Sequence, residues 1–448
     1  MSDISSIFKA YDIRGKVRTE LTPNLVKDIG RAFADWLPTS GPVVVGRDMR
    51  PDSEKLALAF IEGVLQQGRD VIDVGLVTSD MSYFAVGKYD LAGAAMITAS
   101  HNSAEDNGVK LYRDKVTAVG LDSGLDEIRD LALGKSFKSS EKIGDKTTKD
   151  ITEDWLEHVL SFVPDTKKIK AYNIAVDAGN GMAGKIFPEI EPYLPFQVTE
   201  MFFDLDPSFP NHEANPQKPE TMKQLMETVV KNKLDFGVAF DADGDRAGFV
   251  DDKGRPVLGT DMLSIVAKFY LAKYPGSDIV HEVRTSRATQ ELIKEWGGNP
   301  VRVKAGRIEI GRKLRELQAP FGGETTGHFF FKENYDADAA LITVIVTIQA
   351  ISDSGKKLSE LVDEYRRYAI ITETNFEVAD PKATLKALKS AFRDGQQDEV
   401  DGLTVNYPDG WFNVRVSNTE PVIRLNAEAK TQAKLDRLVA RIVAQIKS

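Results

Sequence analysis

Four short segments hold residues whose types and order suit chemistry. The apolar run Leu91-Ala92-Gly93-Ala94-Ala95-Met96-Ile97 leads into Thr98-Ala99-Ser100-His101-Asn102-Ser103, so a hydroxyl stands on a loop directly after a buried strand. Such a position suits a nucleophile, although serine after a strand is also an ordinary turn or capping residue. The run Leu234-Asp235-Phe236-Gly237-Val238-Ala239-Phe240 reads as another buried strand and ends in Asp241-Ala242-Asp243-Gly244-Asp245-Arg246. Three carboxylates at alternate positions converge on one point, and their repulsion calls for a hard cation. Oxygen ligands with no neighbouring His or Cys favour Mg²⁺ or Ca²⁺ over zinc; a solvated acidic turn is the plainer alternative. An EF-hand loop counted from Asp241 would need Gly where Arg246 stands and Glu where Asp252 stands, so that reading fails.

The third segment, Phe321-Gly322-Gly323-Glu324-Thr325-Thr326-Gly327-His328, puts a carboxylate, hydroxyls and an imidazole on a Gly-flanked loop that can approach a ligand closely. These groups suit sugar hydroxyls, and a tight turn between strands is the bland alternative. The fourth, Arg415-Val416-Ser417-Asn418-Thr419-Glu420-Pro421-Val422-Ile423-Arg424, has the composition of a phosphate cradle. Guanidinium groups give bidentate, charge-assisted bonds to phosphate, while hydroxyls and backbone N–H groups fill its remaining acceptors.

These segments need elements to carry them. Val43-Val44-Val45-Gly46-Arg47-Asp48, Ile174-Ala175-Val176-Asp177-Ala178-Gly179-Asn180-Gly181 and Ile279-Val280-His281-Glu282-Val283-Arg284-Thr285-Ser286 share one pattern, a short apolar strand ending in a polar turn before a helical stretch. Leu56, Ala59, Phe60, Gly63 and Val64 then recur at helical spacing over 54–67. Continuous β-branched runs alternating with amphipathic helices read as largely parallel strands covered on both faces, an α/β architecture. The polar stretches 134–150 and 251–256 mark joints. Beyond Arg366 the pattern changes to a strand over 370–378, a helix over 381–392, a hairpin at Pro408-Asp409-Gly410 and a helix over 431–446, a small α+β domain. The expected division is 1–150 with the serine loop, 151–255 with the acidic loop, 256–367 with the Gly-flanked loop and 368–448 with the arginine loop.

At 448 residues the chain exceeds what one core supports, and length alone predicts roughly three or four domains. With no cysteine, disulfides, thiolate metal sites, iron–sulfur clusters and cysteine nucleophiles are all excluded. A net charge of −10 argues against nucleic acid as a partner, and no apolar run is long enough to span a bilayer. The N-terminus lacks the features of a secretory signal, so a cytoplasmic location is expected. No obligate protein partner is evident.

Taken in order, the four segments and the opening Phe8-Lys9-Ala10-Tyr11-Asp12-Ile13-Arg14-Gly15 resemble the α-D-phosphohexomutase superfamily, most closely its phosphomannomutase/phosphoglucomutase branch. The resemblance implies three similar α/β domains with mixed, largely parallel sheets, a smaller C-terminal α+β domain and an active site in a central cleft. It implies interconversion of hexose 6-phosphate and hexose 1-phosphate (mannose, glucose or both) through a phosphoserine and a hexose 1,6-bisphosphate.

In that scheme Ser100 is phosphorylated and, with Asp241, Asp243 and Asp245, holds Mg²⁺. His101 flanks the nucleophile, Arg246 supports the transferring phosphoryl and Lys110 assists proton transfer. Tyr11, Arg14, Arg284, Arg307, Glu324, Thr326 and His328 face the sugar phosphate. Arg415, Ser417, Asn418, Thr419 and Arg424 bind the distal phosphate. Phosphoglucosamine mutase and a catalytically silent sugar-phosphate-binding homologue are the alternatives.

Three positions depart from the family pattern: Ser103 replaces a proline, Thr326 replaces the commoner serine, and Arg307 replaces a histidine. Only the last changes the chemistry, because arginine stays protonated and cannot act as a general base. Proton transfer then falls to Lys110 or His328, or the substrate preference differs from the family's. The remaining histidines, His158, His212 and His281, read as structural.

Overall fold

The computed structural model describes residues 4–416 and 422–447, which fall into two compact units. One unit comprises residues 1–258 and 326–359, the other 259–325 and 360–448.

The first unit holds a seven-stranded mixed sheet ordered Ile13–Lys16, Asp106–Arg113, Gly93–Ile97, Val43–Arg47, Val71–Leu76 and Lys146–Thr148, with Thr117–Ala118 beside Asp106–Arg113. Val43–Arg47 runs parallel to both its neighbours, and Gly93–Ile97 is antiparallel to Asp106–Arg113. Every residue of Gly93–Ile97 is buried, as expected of an apolar strand covered on both faces. The polar stretch over 134–150 contributes an exposed edge strand, Lys146–Thr148, parallel to Val71–Leu76.

Helices Pro23–Trp36 and Ser53–Gln66 lie against this sheet, with Phe33 and Phe60 in its core. Their close approach depends on Gly63, where an added Cβ would stand 2.1 Å from the Lys27 carbonyl oxygen. The apolar spacing at 54–67 therefore marks a helix whose glycine is a contact surface.

The second sheet of this unit is ordered Pro256–Val257, Ala247–Asp251, Phe236–Phe240, Tyr172–Asp177 and Phe196–Met201. Phe236–Phe240 is parallel to Tyr172–Asp177 and antiparallel to Ala247–Asp251, so the acidic segment is the loop between two paired strands. The cluster at 251–256 turns the chain between Ala247–Asp251 and Pro256–Val257, just ahead of the unit boundary at Leu258. The antiparallel pair Phe329–Phe331 and Ala337–Asp338 and the buried helix Ala340–Ser354 complete the unit.

In the second unit, Asp278–Glu282 runs parallel to Asn299–Val303 and Phe321–Gly323, with helices Gly259–Lys273, Arg287–Glu295 and Arg307–Leu317 alongside. A separate five-stranded sheet follows, ordered Ala369–Glu377, Val422–Ala429, Gly410–Val416, Leu403–Tyr407 and Gln396–Asp398. All of its pairings are antiparallel. Its hairpin joins Tyr407 to Gly410 across Pro408 and Asp409, and helices Pro381–Ala391 and Gln432–Ile446 cover a core of Leu388, Phe412, Leu425 and Leu435. Among the described residues, no helix is long and apolar enough to cross a membrane.

Candidate active site

The buried strand Gly93–Ile97 delivers the chain to Ser100, whose backbone is left-handed at φ 51°. A non-glycine residue adopts that conformation only where its surroundings hold it. Arg50 provides the hold. Its Nη2 donates to the Ser100 carbonyl at 2.7 Å and the Asn102 carbonyl at 2.7 Å, and its Nη1 to those of Ser103 at 2.6 Å and Asp106 at 2.8 Å. Asp48 pairs with this buried guanidinium at 3.2 Å. Arg14 adds Nη1 bonds to the Ala99 carbonyl at 3.2 Å and Asn102 Oδ1 at 2.6 Å, and is itself held by Asp12.

The acidic loop arrives from the end of Phe236–Phe240, and Asp241, Asp243 and Asp245 are all fully buried. Gly244 makes the turn at φ 71°, where a Cβ would sit 2.7 Å from Thr78 Cγ2. Asp241 Oδ1 accepts the backbone N–H groups of Asp245 and Arg246, each at 3.1 Å. Asp241 Oδ2 accepts from Arg246 Nε at 2.8 Å and Ser100 Oγ at 3.0 Å, and Arg246 Nη2 donates to Ser100 Oγ at 3.0 Å. The serine hydroxyl thus sits between a carboxylate and a guanidinium.

Lys110 comes from the strand Asp106–Arg113, and its Nζ reaches Asp243 Oδ2 and Asp245 Oδ2, each at 2.5 Å, and Ser79 Oγ at 3.3 Å. Ser79 also donates its hydroxyl to Asp243 Oδ2 at 2.5 Å. Burial pushes the Asp241 carboxyl upward, helped by the neighbouring aspartates and opposed by Arg246. Burial acts on Asp243 in the same sense, but the Lys110 ammonium outweighs it and carries that group downward. His101 is driven well below its ordinary range by burial and by the charges of Arg246 and Arg14, so its ring stays neutral. Its Nδ1 faces Arg246 Nη2 and lies 3.3 Å from Ser100 Oγ.

The three aspartates present carboxylate oxygens within 4.8 Å of one another, a spacing that can hold a metal ion. Asp243 Oδ1 and Asp245 Oδ1 are buried without a hydrogen-bond partner, which leaves two oxygens suited to a cation. Two features differ from the sequence expectation. Lys110 and Arg246 already offset part of the charge, and an imidazole does lie nearby, since His328 and Asp338 form a second such cluster with Asp245. Lys110, His328 and Asp338 come from segments remote in sequence, which local spacing does not register, whereas Arg246 adjoins Asp245.

His328 Nδ1 lies 2.5 Å from Asp338 Oδ2, and Asp338 Oδ1 accepts from the buried Tyr83 hydroxyl at 2.8 Å. Burial lowers the imidazole, but Asp245 and Asp338 outweigh it and raise the group overall. Thr326 accepts a bond at its carbonyl from Gln217 Nε2.

In the second unit, the buried Glu324 follows the strand Phe321–Gly323, and Arg307, also buried, opens its helix. Arg284 Nε donates to Glu282 Oε1 at 2.9 Å, and the hydroxyl of Thr325 donates to the same oxygen at 2.6 Å. Arg284, Arg415 and Arg424 all pair with Glu373, at 3.4, 2.7 and 3.2 Å. Tyr11 is partly buried. Ser417, Asn418 and Thr419 lie outside the described residues.

The structure therefore gathers Ser100, His101, Lys110, Arg246 and the three aspartates, with Arg14 on the serine loop and His328 beside Asp245. It joins Arg284 to Arg415 and Arg424 through Glu373. Arg50, Ser79, Glu282, Asp338 and Glu373 are further members that no segment motif marks. For Arg50 and Glu282 the sequence offers a hint, an acid and a base two apart at the end of an apolar strand, Asp48 and Arg50 after Val43–Arg47 and Glu282 and Arg284 at the end of Asp278–Glu282.

Successive parts of the chain match the four domain families of one protein class. These are phosphoglucomutase/phosphomannomutase alpha/beta/alpha domains I, II and III, over residues 5–137, 153–254 and 259–368, and its C-terminal domain over 373–445. The "Phosphohexose mutases" of Xanthomonas campestris pv. campestris are 37% identical over 431 residues, which span 96% of each chain. A phosphomannomutase of Escherichia coli K12 is 32% identical over 438 residues, with 96% of each chain covered. The crystal structure of a phosphoglucomutase/phosphomannomutase family protein from Burkholderia thailandensis superposes with a TM-score of 0.90 at 30% identity, over 99% of this chain and 97% of that one. Three α/β domains followed by a C-terminal domain define the phosphohexomutase class. Within it, this chain belongs to the phosphoglucomutase/phosphomannomutase family.

Proposed function

We propose that the protein is an intramolecular phosphotransferase that interconverts hexose 6-phosphate and hexose 1-phosphate, with mannose or glucose as the sugar. The observation that carries this reading is Ser100 Oγ held between Asp241 Oδ2 and Arg246 Nη2, each at 3.0 Å. A buried hydroxyl so flanked suits a phosphoryl carrier better than a passive binding group.

In this reading the phosphorus–Oγ bond of phosphorylated Ser100 breaks as a bond forms to the free hydroxyl of the sugar phosphate. The hydroxyl proton leaves to a protein base, and the product is the hexose 1,6-bisphosphate. After the bisphosphate turns end for end, the other phosphoryl group returns to Ser100 and the proton is given back. Arg246 stabilises charge on Oγ as it leaves, which is the main demand of phosphoryl transfer.

Lys110 already directs its ammonium to Ser79, Asp243 and Asp245 and acts as fixed charge. The proton therefore passes to His328, with Asp338 on its other nitrogen. Asp241, Asp243, Asp245 and Ser100 would hold Mg²⁺, which supplies charge neutralisation for the phosphoryl oxygens when bound. Tyr11, Arg14, Arg307, Glu324 and Thr326 serve the sugar, and the loop from Arg415 to Arg424 serves the distal phosphate. Sugar phosphates are the partners in this reading, and the cytoplasm the place of action.

Intact-protein mass spectrometry with parallel assays on glucose 1-phosphate, mannose 1-phosphate and glucosamine 1-phosphate tests the proposal. The expected result is one extra phosphoryl group that is absent in Ser100→Ala, with turnover lowered by roughly three orders of magnitude or more. Full turnover in Ser100→Ala would refute it, and preference for the glucosamine substrate would reassign the sugar.

A further inference from the structure

Arginines that the sequence assigns to two different tasks meet on one carboxylate. Glu373 lies in the strand Ala369–Glu377, where pairing with Val422–Ala429 shifts register between Ile371 and Thr374. A bulge of this kind re-aims a side chain. From it the Glu373 carboxylate reaches Arg415 Nη2 at 2.7 Å, Arg424 Nη1 at 3.2 Å and Arg284 Nη1 at 3.4 Å, with Asn426 Nδ2 at 3.5 Å.

Arg415 and Arg424 stand directly opposite each other on paired strands, so their like charges repel unless an anion lies between them. Arg284 is fixed from its other side by Glu282 at 2.9 Å.

A carboxylate has about four acceptor positions, whereas a guanidinium carries five N–H donors, so Glu373, shared among three arginines, cannot take up all that Arg415 offers. One such donor, Arg415 Nε, is buried without a partner. Holding the side chains in place before the ligand arrives removes part of the ordering cost of binding.

We propose that Glu373 is the positioning residue of the phosphate cradle, gathering Arg284, Arg415 and Arg424 so that together they receive the phosphate that is not being transferred. This rests on the proposed function and extends it to a residue that touches no reacting atom. Burial opposes the charge on Glu373, but Arg284 and Arg415 outweigh it and draw the group down to about 2, so the carboxylate stays ionised wherever sugar phosphates are dianionic.

The test is calorimetric titration of Ser100→Ala protein, which removes turnover, with glucose 1-phosphate, mannose 1-phosphate and inorganic phosphate. Glu373→Gln is expected to weaken all three by roughly tenfold or more, and Glu373→Asp to restore most of the affinity. With Ser100 intact, KM should rise far more than kcat falls in Glu373→Gln, a split that general loss of packing would not produce.

Unchanged or tighter phosphate binding in Glu373→Gln overturns the proposal, because the carboxylate would then be idle or a competitor for the phosphate position. Should Glu373→Gln melt early, Glu373→Asp decides, with weaker binding in favour and unchanged binding against. If the parent binds inorganic phosphate but neither sugar phosphate, the functional reading fails while the inorganic phosphate comparison still decides the role of Glu373.

Discussion

Arg246 bridges the two loops of the site: Nη2 donates to Ser100 Oγ at 3.0 Å and Nε to Asp241 Oδ2 at 2.8 Å. One planar group thereby sets the distance between the hydroxyl and the acidic cluster through two separate nitrogens, a fixed spacing that the single ammonium of a lysine does not reproduce. Arg246→Lys is expected to lower kcat by roughly 100-fold to 1,000-fold with a small change in KM, since the lost contact is to charge that develops during transfer. Steady-state kinetics on glucose 1-phosphate check this. A loss confined to KM would place Arg246 in ground-state binding.

Arg50 makes four bonds to carbonyls of the serine loop and is paired with Asp48. Arg50→Ala would leave those carbonyls and a buried carboxylate without their cation, at a cost of about 3 kcal/mol or more. The midpoint of chemical unfolding should fall accordingly. Arg50→Lys should keep more of the stability than of the activity, because one ammonium cannot span four carbonyls. Equal losses would show that Arg50 serves folding alone.

Chelation tests the acidic cluster. Turnover should vanish with a strong chelator and return with added Mg²⁺, while the mass of phosphorylated Ser100 stays unchanged. Asp245→Asn should raise the Mg²⁺ concentration needed for half-maximal rate by at least about tenfold, since it removes a charged ligand. Full activity in chelator would assign charge compensation to Lys110 and Arg246 alone.

His281 is fully buried, and burial lowers it from 6.5 to about 4. Its ring therefore remains neutral in the fold while the unfolded chain takes up a proton, so stability is fully present above pH 6.5 and is lost progressively as pH falls towards 4. The gap between those two values corresponds to a loss on the order of 3 kcal/mol across that window. Urea unfolding of the parent and His281→Leu at pH 7 and pH 5 checks it. The parent should lose more stability than the variant, and an equal loss would remove His281 as the cause.

The motif segments were legible in the sequence because each one is local. An apolar run followed by polar residues makes Gly93–Ile97 and Phe236–Phe240 buried strands and leaves Ser100 and the three aspartates on the loops behind them. The same contiguity marked the hairpin at Pro408 and Asp409 and the helices Pro381–Ala391 and Gln432–Ile446. It also fixed the α/β class, because β-branched runs with helical stretches between them have few other ways to bury their apolar faces.

What only the tertiary structure decided is which charges meet. Lys110 lies between aspartates more than 130 positions away, Arg50 grips a loop some 50 residues downstream, and Glu373 collects arginines from both directions along the chain. Residue spacing encodes the period of a helix or strand, not the approach of distant elements. Burial makes those approaches consequential, because a charge removed from water must find its counter-charge wherever the fold brings one.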